Sequence, residues 1–496
     1  MLRDLAYTSI LGAFLTVIGT SGNASAATCE SLATLAFPDA TITAAQLVPA
    51  GSGPAKDLPA YCRVSATLRP SSDSDIKVEV WLPATGWNNK YLAVGNGGWN
   101  GSIDAGALAT GLRRGYAVSA TDTGHQGGGG PWMASPEKVV DFGHRAVHEM
   151  TVKAKTVVSS YYGNAARRSY FQGCSAGGRQ GMVAAHRYPD DFDGIVAGAP
   201  AVDTTGRATF AVWIAQQQHR AEGTHIPAEK YPAIHEAVLQ ACDALDGVTD
   251  RVIENPRACS FDPKVLECKA GDSPTCLTSA QVDTARTMYK PVVHARTGEV
   301  IFPGLERGSE LGWSTFGGPQ PFPIGTQMFQ FMVFGDPSWD YKGLNFDGDM
   351  AKVAAVEKGQ INVLEPSLDR FAARGGKLIQ YHGWADQQIP SGSSTRFYQA
   401  VEKRAGSHAA IDPFYRMFMV PAMGHCGGGA GTTTFDMLSA LEQWVENGKA
   451  PDSVSASRVV NGKTERTRPL CPFPQVARYS GHGSTDDAAN FACKAP

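Results

Sequence analysis

Ser175 lies in Gly173-Cys174-Ser175-Ala176-Gly177, a glycine-x-serine-x-glycine pattern. It sits between the apolar run Arg168-Ser-Tyr-Phe-Gln172 and a helix-compatible stretch from Gly178 to Tyr188. Between a strand and a helix, such glycines allow a sharp turn that lifts the hydroxyl above a sheet. The helix N-terminus that follows favours developing negative charge. The chemistry this allows is nucleophilic attack, for which a serine needs a base and an acid to orient that base. A glycine-rich turn without chemistry would have the same spacing, so the partners decide.

When a serine occupies this turn, the acid and then the histidine follow it in the chain. His382-Gly-Trp-Ala-Asp386 follows the apolar run Lys377–Tyr381, and Gly424-His425-Cys426 follows the run Tyr415–Val420. Asp386 is the candidate acid and His425 the candidate base. His382 competes as base, but it precedes the acid and lies at the strand end, so the order favours His425. Cys174 precedes the serine and Cys426 follows the histidine. A disulfide requires Cα atoms roughly 4.4–6.8 Å apart, so pairing these two would draw Ser175 and His425 together. Pairing of each with other cysteines would not.

The elements that must position these residues alternate along the chain. Ile76–Leu82, Tyr91–Val94, Tyr116–Ala120, Arg168–Gln172 and Gly194–Ala197 read as strands, with helices over His144–Ser160 and Gly178–Tyr188. Strand, glycine turn, helix and strand in succession make a doubly wound α/β sheet, and the rhythm returns at 377 and 415. It breaks down between Ala201 and about Phe371, where four of the ten cysteines lie with Trp213, Trp313, Phe316, Phe329, Phe331, Phe334 and Trp339. The expected organisation is a catalytic α/β domain over 27–200 and 371–496, interrupted by an inserted lid domain over 201–370.

The apolar Leu5–Ile18 stretch and Ala24-Ser-Ala26 read as a signal peptide over 1–26. All ten cysteines follow it, and none forms a C-x-x-C or zinc-finger pattern. An even number in an exported chain implies five disulfides in an oxidising compartment, secreted or periplasmic. Local spacing suggests Cys242 with Cys259 and Cys268 with Cys276. With 44 Lys+Arg against 47 Asp+Glu the net charge is −3, which argues against a nucleic-acid partner. No apolar run beyond the N-terminus reaches the ~20 residues of a membrane span.

A second constellation is Asp243-Ala-Leu-Asp246-Gly247-Val248-Thr-Asp250-Arg-Val252. Three carboxylates so close together would repel one another without a cation, and hard cations such as calcium take carboxylate and carbonyl oxygens. The spacing is not an EF-hand. A solvated acidic loop stapled by Cys242–Cys259 is the alternative.

The sequence resembles the tannase/feruloyl esterase family of α/β-hydrolases. The resemblance rests on Gly-Cys-Ser-Ala-Gly-Gly at 173–178, His-Gly-Trp-Ala-Asp at 382–386, Gly-His-Cys at 424–426, Gly95-Asn-Gly-Gly98 and Cys-Asp-Ala-Leu-Asp-Gly-Val-Thr-Asp at 242–250. It implies an α/β-hydrolase fold with Ser175 as nucleophile, His425 as base and Asp386 as acid. It also implies the bridge Cys174–Cys426 together with Cys29–Cys62, Cys242–Cys259, Cys268–Cys276 and Cys471–Cys493. A structural calcium would take the side chains of Asp243, Asp246 and Asp250 and the carbonyls of Val248 and Val252. The expected activity is hydrolysis of small aromatic (phenolic) carboxylic esters, such as those of gallate or ferulate. Acyl transfer needs two backbone donors for the oxyanion: the Ala176 N–H and one from the glycine loop, with Gly97 preferred over Gly98. Ile389 stands where an aromatic wall would favour terephthalate esters. A peptidase-like serine hydrolase and a non-catalytic binding protein on the same scaffold are the alternatives. No nucleotide, flavin or pyridoxal cofactor is indicated.

Overall fold

The computed structural model describes residues 27–496; residues 1–26, where the sequence predicts a signal peptide, lie outside the described residues. Nine strands form one sheet: β1 (Ala40–Val48), β2 (Tyr61–Leu68), β3 (Ile76–Pro83), β4 (Lys90–Val94), β5 (Ala117–Thr121), β6 (Arg168–Cys174), β7 (Gly194–Gly198), β8 (Lys377–Gly383) and β9 (Tyr415–Val420). Their order is β1-β2-β3-β5-β4-β6-β7-β8-β9. Pairing is antiparallel from β1 to β5 and parallel from β5 onward.

The parallel strands read as unbroken apolar runs because both faces are covered. On β4, Tyr91 and Ala93 enter one core while Leu92 and Val94 enter the other. On β9, Tyr415, Met417 and Met419 alternate in the same way with Phe418 and Val420. Helix α1 (Ala146–Tyr162) covers the first core through Val147, Met150, Ala154 and Val158. Among the described residues, no helix is long and apolar enough to cross a membrane.

Residues 199–376 add no strand to the large sheet. They open with helix α2 (Thr204–Gln218) and build their own apolar cluster around Phe210, Ile214, Trp313 and Phe316. A further cluster joins Met328, Phe329 and Met332 to Trp99, Trp132 and Phe142 from the sheet side. Trp313, Phe316 and Phe329 are fully buried there, as core. All ten cysteines are paired: Cys29–Cys62, Cys174–Cys426, Cys242–Cys259, Cys268–Cys276 and Cys471–Cys493.

Candidate active site

Strand β6 ends at Cys174, and the helix that follows, Ala176–Arg187, begins two residues later. Ser175 alone therefore makes the turn, at φ 64° and ψ −121°. Such a backbone costs a non-glycine residue about 1–3 kcal/mol and persists only where its surroundings enforce it. Here the Ser175 N–H donates to the Gly198 carbonyl (2.9 Å), and its own carbonyl accepts from the Arg179 N–H (3.0 Å). A Cβ on Gly178 would lie 2.1 Å from the Gly198 oxygen, so the turn closes only with glycine there. The helix starts two residues before the sequence reading placed it, because these glycines serve close packing and do not break the helix.

Asp386 stands in the turn after β8, with its side chain wholly buried. Oδ1 accepts from the N–H groups of Gln388 (2.7 Å) and Ile389 (2.8 Å). Oδ2 lies 2.8 Å from His425 Nδ1 and 3.0 Å from His382 Nε2. Burial by itself would raise this carboxyl, but the hydrogen bonds from His382 and His425 outweigh it and hold Asp386 well below the usual carboxylate range.

His425 occupies the loop after β9, where its N–H donates to Gln387 Oε1 (3.1 Å). With Nδ1 committed to Asp386, Nε2 is the nitrogen available for proton transfer. The Cys174–Cys426 bridge, with Cα atoms 6.0 Å apart, ties the His425 loop to the residue before Ser175. His382 is fully buried, and both ring nitrogens are engaged: Nε2 with Asp386 and the Ile389 carbonyl (3.0 Å), Nδ1 with Ser394 Oγ (2.7 Å). This rules out His382, the competing base of the sequence reading.

The loop after β4 lies against the helix that follows Ser175. The Gly177 N–H donates to the Asn96 carbonyl (2.7 Å), and the Asn96 N–H donates to Gln180 Oε1 (3.1 Å). Asn96 Nδ2 donates to the Thr121 carbonyl (2.7 Å) and the Ser102 carbonyl (3.1 Å). A Cβ on Gly97 would meet nothing within 4 Å, whereas at Gly98 it would lie 3.4 Å from Ile324. Trp99 Nε1 donates to the Ile324 carbonyl (3.2 Å), so the 199–376 segment reaches the rim of this loop. It also sends in Arg207, whose Nε donates to the Gln388 carbonyl (2.8 Å) beside Asp386.

At the acidic loop, Asp246, Val248, Asp250, Val252 and Glu254 line one small cavity with Arg466 and Arg468. Burial, together with the nearby Asp250 and Asp243 carboxylates, pushes Asp246 up to about 6. Burial likewise takes Glu254 to about 7. Asp243 accepts the N–H groups of Asp250 (3.3 Å), Arg251 (2.9 Å) and Val252 (3.2 Å), while Asp250 pairs with Arg468 (2.8 Å) and Arg466 (3.0 Å). Asp246 and Asp250 disfavour one another's charge, which a hard, oxygen-seeking cation would relieve, while both Asp243 oxygens already accept N–H groups and Asp250 faces two guanidinium groups.

Asn96, Gln180, Gln387 and Ser394 escaped the sequence reading. Asn96 and Gln180 meet across 84 residues and Gln387 meets His425 across 38, whereas Ser394 meets His382 across 12; none carries a local spacing signal.

A mixed sheet with a strained serine at the β6 turn, and an aspartate and a histidine in the loops after β8 and β9, defines an α/β-hydrolase. The chain belongs to the tannase and feruloyl esterase family: the family model "Tannase and feruloyl esterase" matches residues 62–494, and the chain is a carboxylic ester hydrolase. It is 38% identical to an uncharacterized esterase of Xanthomonas campestris pv. campestris, over 99% of this chain and 94% of that protein. The crystal structure of feruloyl esterase B from Aspergillus oryzae superposes with a TM-score of 0.89 at 32% identity, covering 94% of this chain and 99% of the other. Tannin acyl hydrolase from Aspergillus niger shares the fold, with a TM-score of 0.79 at 22% identity over 94% and 95% of the two chains.

Proposed function

We propose that this enzyme hydrolyses esters of phenolic acids, such as gallate or ferulate, through a serine-bound acyl intermediate. The observation that carries the reading is the Cys174–Cys426 bridge between the neighbours of Ser175 and His425, with Asp386 on His425 Nδ1 at 2.8 Å. His425 Nε2 takes the Ser175 proton as Oγ bonds to the ester carbonyl carbon, and Asp386 stabilises the imidazolium. The Ala176 and Gly97 N–H groups receive the oxyanion. Collapse breaks the bond to the alcohol, which leaves with the proton from His425. Water then gives its proton to His425 and attacks the acyl carbon, releasing the acid and restoring Ser175.

The 201–370 segment acts as the lid and lines the acyl pocket, with Ile324 at the rim of the glycine loop and Arg207 beside Asp386. The acidic loop binds calcium through Asp243, Asp246, Asp250 and the carbonyls of Val248 and Val252. A cation bound there would hold the loop's fold and take no part in the ester chemistry. Five disulfides support an oxidising destination, secreted or periplasmic, after cleavage behind Ala26; the N-terminal mass of the exported protein tests this.

The test of the activity is a panel of methyl gallate, methyl ferulate, a p-nitrophenyl ester and a peptide anilide, run on the wild type and Ser175→Ala. Turnover of a phenolic ester that vanishes in Ser175→Ala, with an unchanged melting temperature, is the expected result. Turnover of the anilide alone would make the enzyme a peptidase, and full activity in Ser175→Ala would overturn the nucleophile.

A further inference from the structure

We propose that His382 is a positioning residue for this reaction, a second imidazole that holds Asp386 in register and shares its charge with His425. The proposal rests on the assignment of Asp386 and His425 above. Asp386 Oδ1 is filled by two backbone N–H groups, so its only variable contacts are at Oδ2. There two imidazoles meet one oxygen, His425 Nδ1 at 2.8 Å and His382 Nε2 at 3.0 Å.

The hydrogen-bond partners identify the form of His382. Nε2 faces two acceptors, Asp386 Oδ2 and the Ile389 carbonyl, so it carries the proton. Nδ1 faces Ser394 Oγ at 2.7 Å, and that hydroxyl has no other hydrogen bond among the described residues. Ser394 therefore donates, and the ring is neutral. A neutral donor fixed from behind keeps the buried carboxylate ionised without adding a competing positive charge. The cations near this pair sit to its sides: Arg207 from α2, with Nε on the Gln388 carbonyl at 2.8 Å, and Arg257, which donates to Thr395 beside Ser394.

Two consequences follow. Without His382 the carboxylate loses one of the two groups that orient Oδ2, which lowers the rate and not substrate affinity. The full charge of Oδ2 would also fall on His425, stabilising its protonated form and moving the acid limb of the pH–rate profile to higher pH.

The experiment measures kcat, KM and the pH–rate profile on one phenolic methyl ester for the wild type, His382→Leu, His382→Gln and His425→Ala. His382→Leu is expected to lose roughly 10–100-fold in kcat, the range for a lost supporting hydrogen bond. Its KM should stay within about twofold, with the acid limb displaced upward. His382→Gln, whose amide can donate to Oδ2, is expected to recover most of the rate and the original limb. A folded His382→Leu with wild-type kcat and limb would overturn the proposal. So would a His382→Gln as impaired as Leu at equal melting temperature. Should the Leu variant not fold, Ser394→Ala gives the same readouts: a severalfold loss of kcat with the same limb shift is expected, and an unchanged profile overturns it. Activity surviving in His425→Ala would instead refute the base assignment itself, which separates the two failures.

Discussion

Cys174 and Cys426 are bonded across 252 residues of sequence, and the side chains they flank are Ser175 and His425. The bridge thus joins the turn after β6 to the loop after β9, two loops separated by the whole 199–376 segment. In the chain-entropy account, closing so long a loop restricts the unfolded state by about 5 kcal/mol. The double variant Cys174→Ala/Cys426→Ala is expected to lose at least roughly 10²-fold in kcat/KM, because misplacement by about 1 Å costs that much. Its melting temperature should fall as well. Assays at a temperature where the variant is fully folded separate the two effects.

Asp386→Asn tests the acid. The amide keeps the volume but removes the charge that stabilises the His425 imidazolium and presents an N–H where an acceptor is needed. A loss of about 10⁴ in kcat is expected, with little change in KM, measured on the same ester.

The Asn96 side chain braces the glycine loop: its Nδ2 donates to the Thr121 (2.7 Å) and Ser102 (3.1 Å) carbonyls and its Oδ1 accepts from Gln180 Nε2 (3.2 Å). Asn96→Ala frees that loop and leaves the Thr121 carbonyl unpaired. The rate is expected to fall by roughly 10²–10³, the cost of an oxyanion donor, with Ser175 acylation by an active-site titrant slowed to match.

His144 bonds Tyr188 through Nδ1 (2.7 Å) and Gln360 through Nε2 (3.0 Å). Burial, with the neighbouring arginines, pulls its imidazole down to about 4. Below pH ~6.5 the unfolded chain takes up a proton that the folded protein refuses, so stability drains away as pH falls from there toward 4. Between pH 7.5 and 4.5 the wild type is expected to lose about 2.5 kcal/mol more than His144→Gln. Urea unfolding at both pH values measures the difference.

Removal of the proposed calcium should act on stability alone. With EDTA the melting temperature is expected to fall by about 5 °C and to return with excess calcium, as binding linkage requires. Asp246→Asn is expected to flatten this response. Ester turnover at low temperature should stay close to wild type, because the acidic loop supplies no group to the Ser175 turn.

The serine turn and the α/β architecture were legible in the chain because each is a local pattern. Glycines crowd a serine where a strand must turn into a helix, and apolar runs recur wherever a strand is buried on both faces. Of the antiparallel start of the sheet, β3 was legible as the strand Ile76–Leu82, but β1 and β2 were not. β1 is mostly exposed, and its mixed residues, Ala40 to Val48, carry no clean alternation. The aromatics of the 199–376 segment posed a similar limit, since Trp313 and Phe316 have the composition of a binding wall and the burial of a core.

Two histidines flank Asp386 in sequence and space, and their types alone do not rank them. Chain order favours His425, and the tertiary structure supports it by engaging both nitrogens of His382 and leaving His425 one nitrogen free beside the Cys174–Cys426 bridge. Asn96, Gln180 and Ser394 belong with this second class. The sequence determined which chemistry was possible, because reactive side chains and tight turns leave their mark within a few residues. The tertiary structure decided which groups perform it, because hydrogen bonds between distant loops depend on packing that no local spacing encodes.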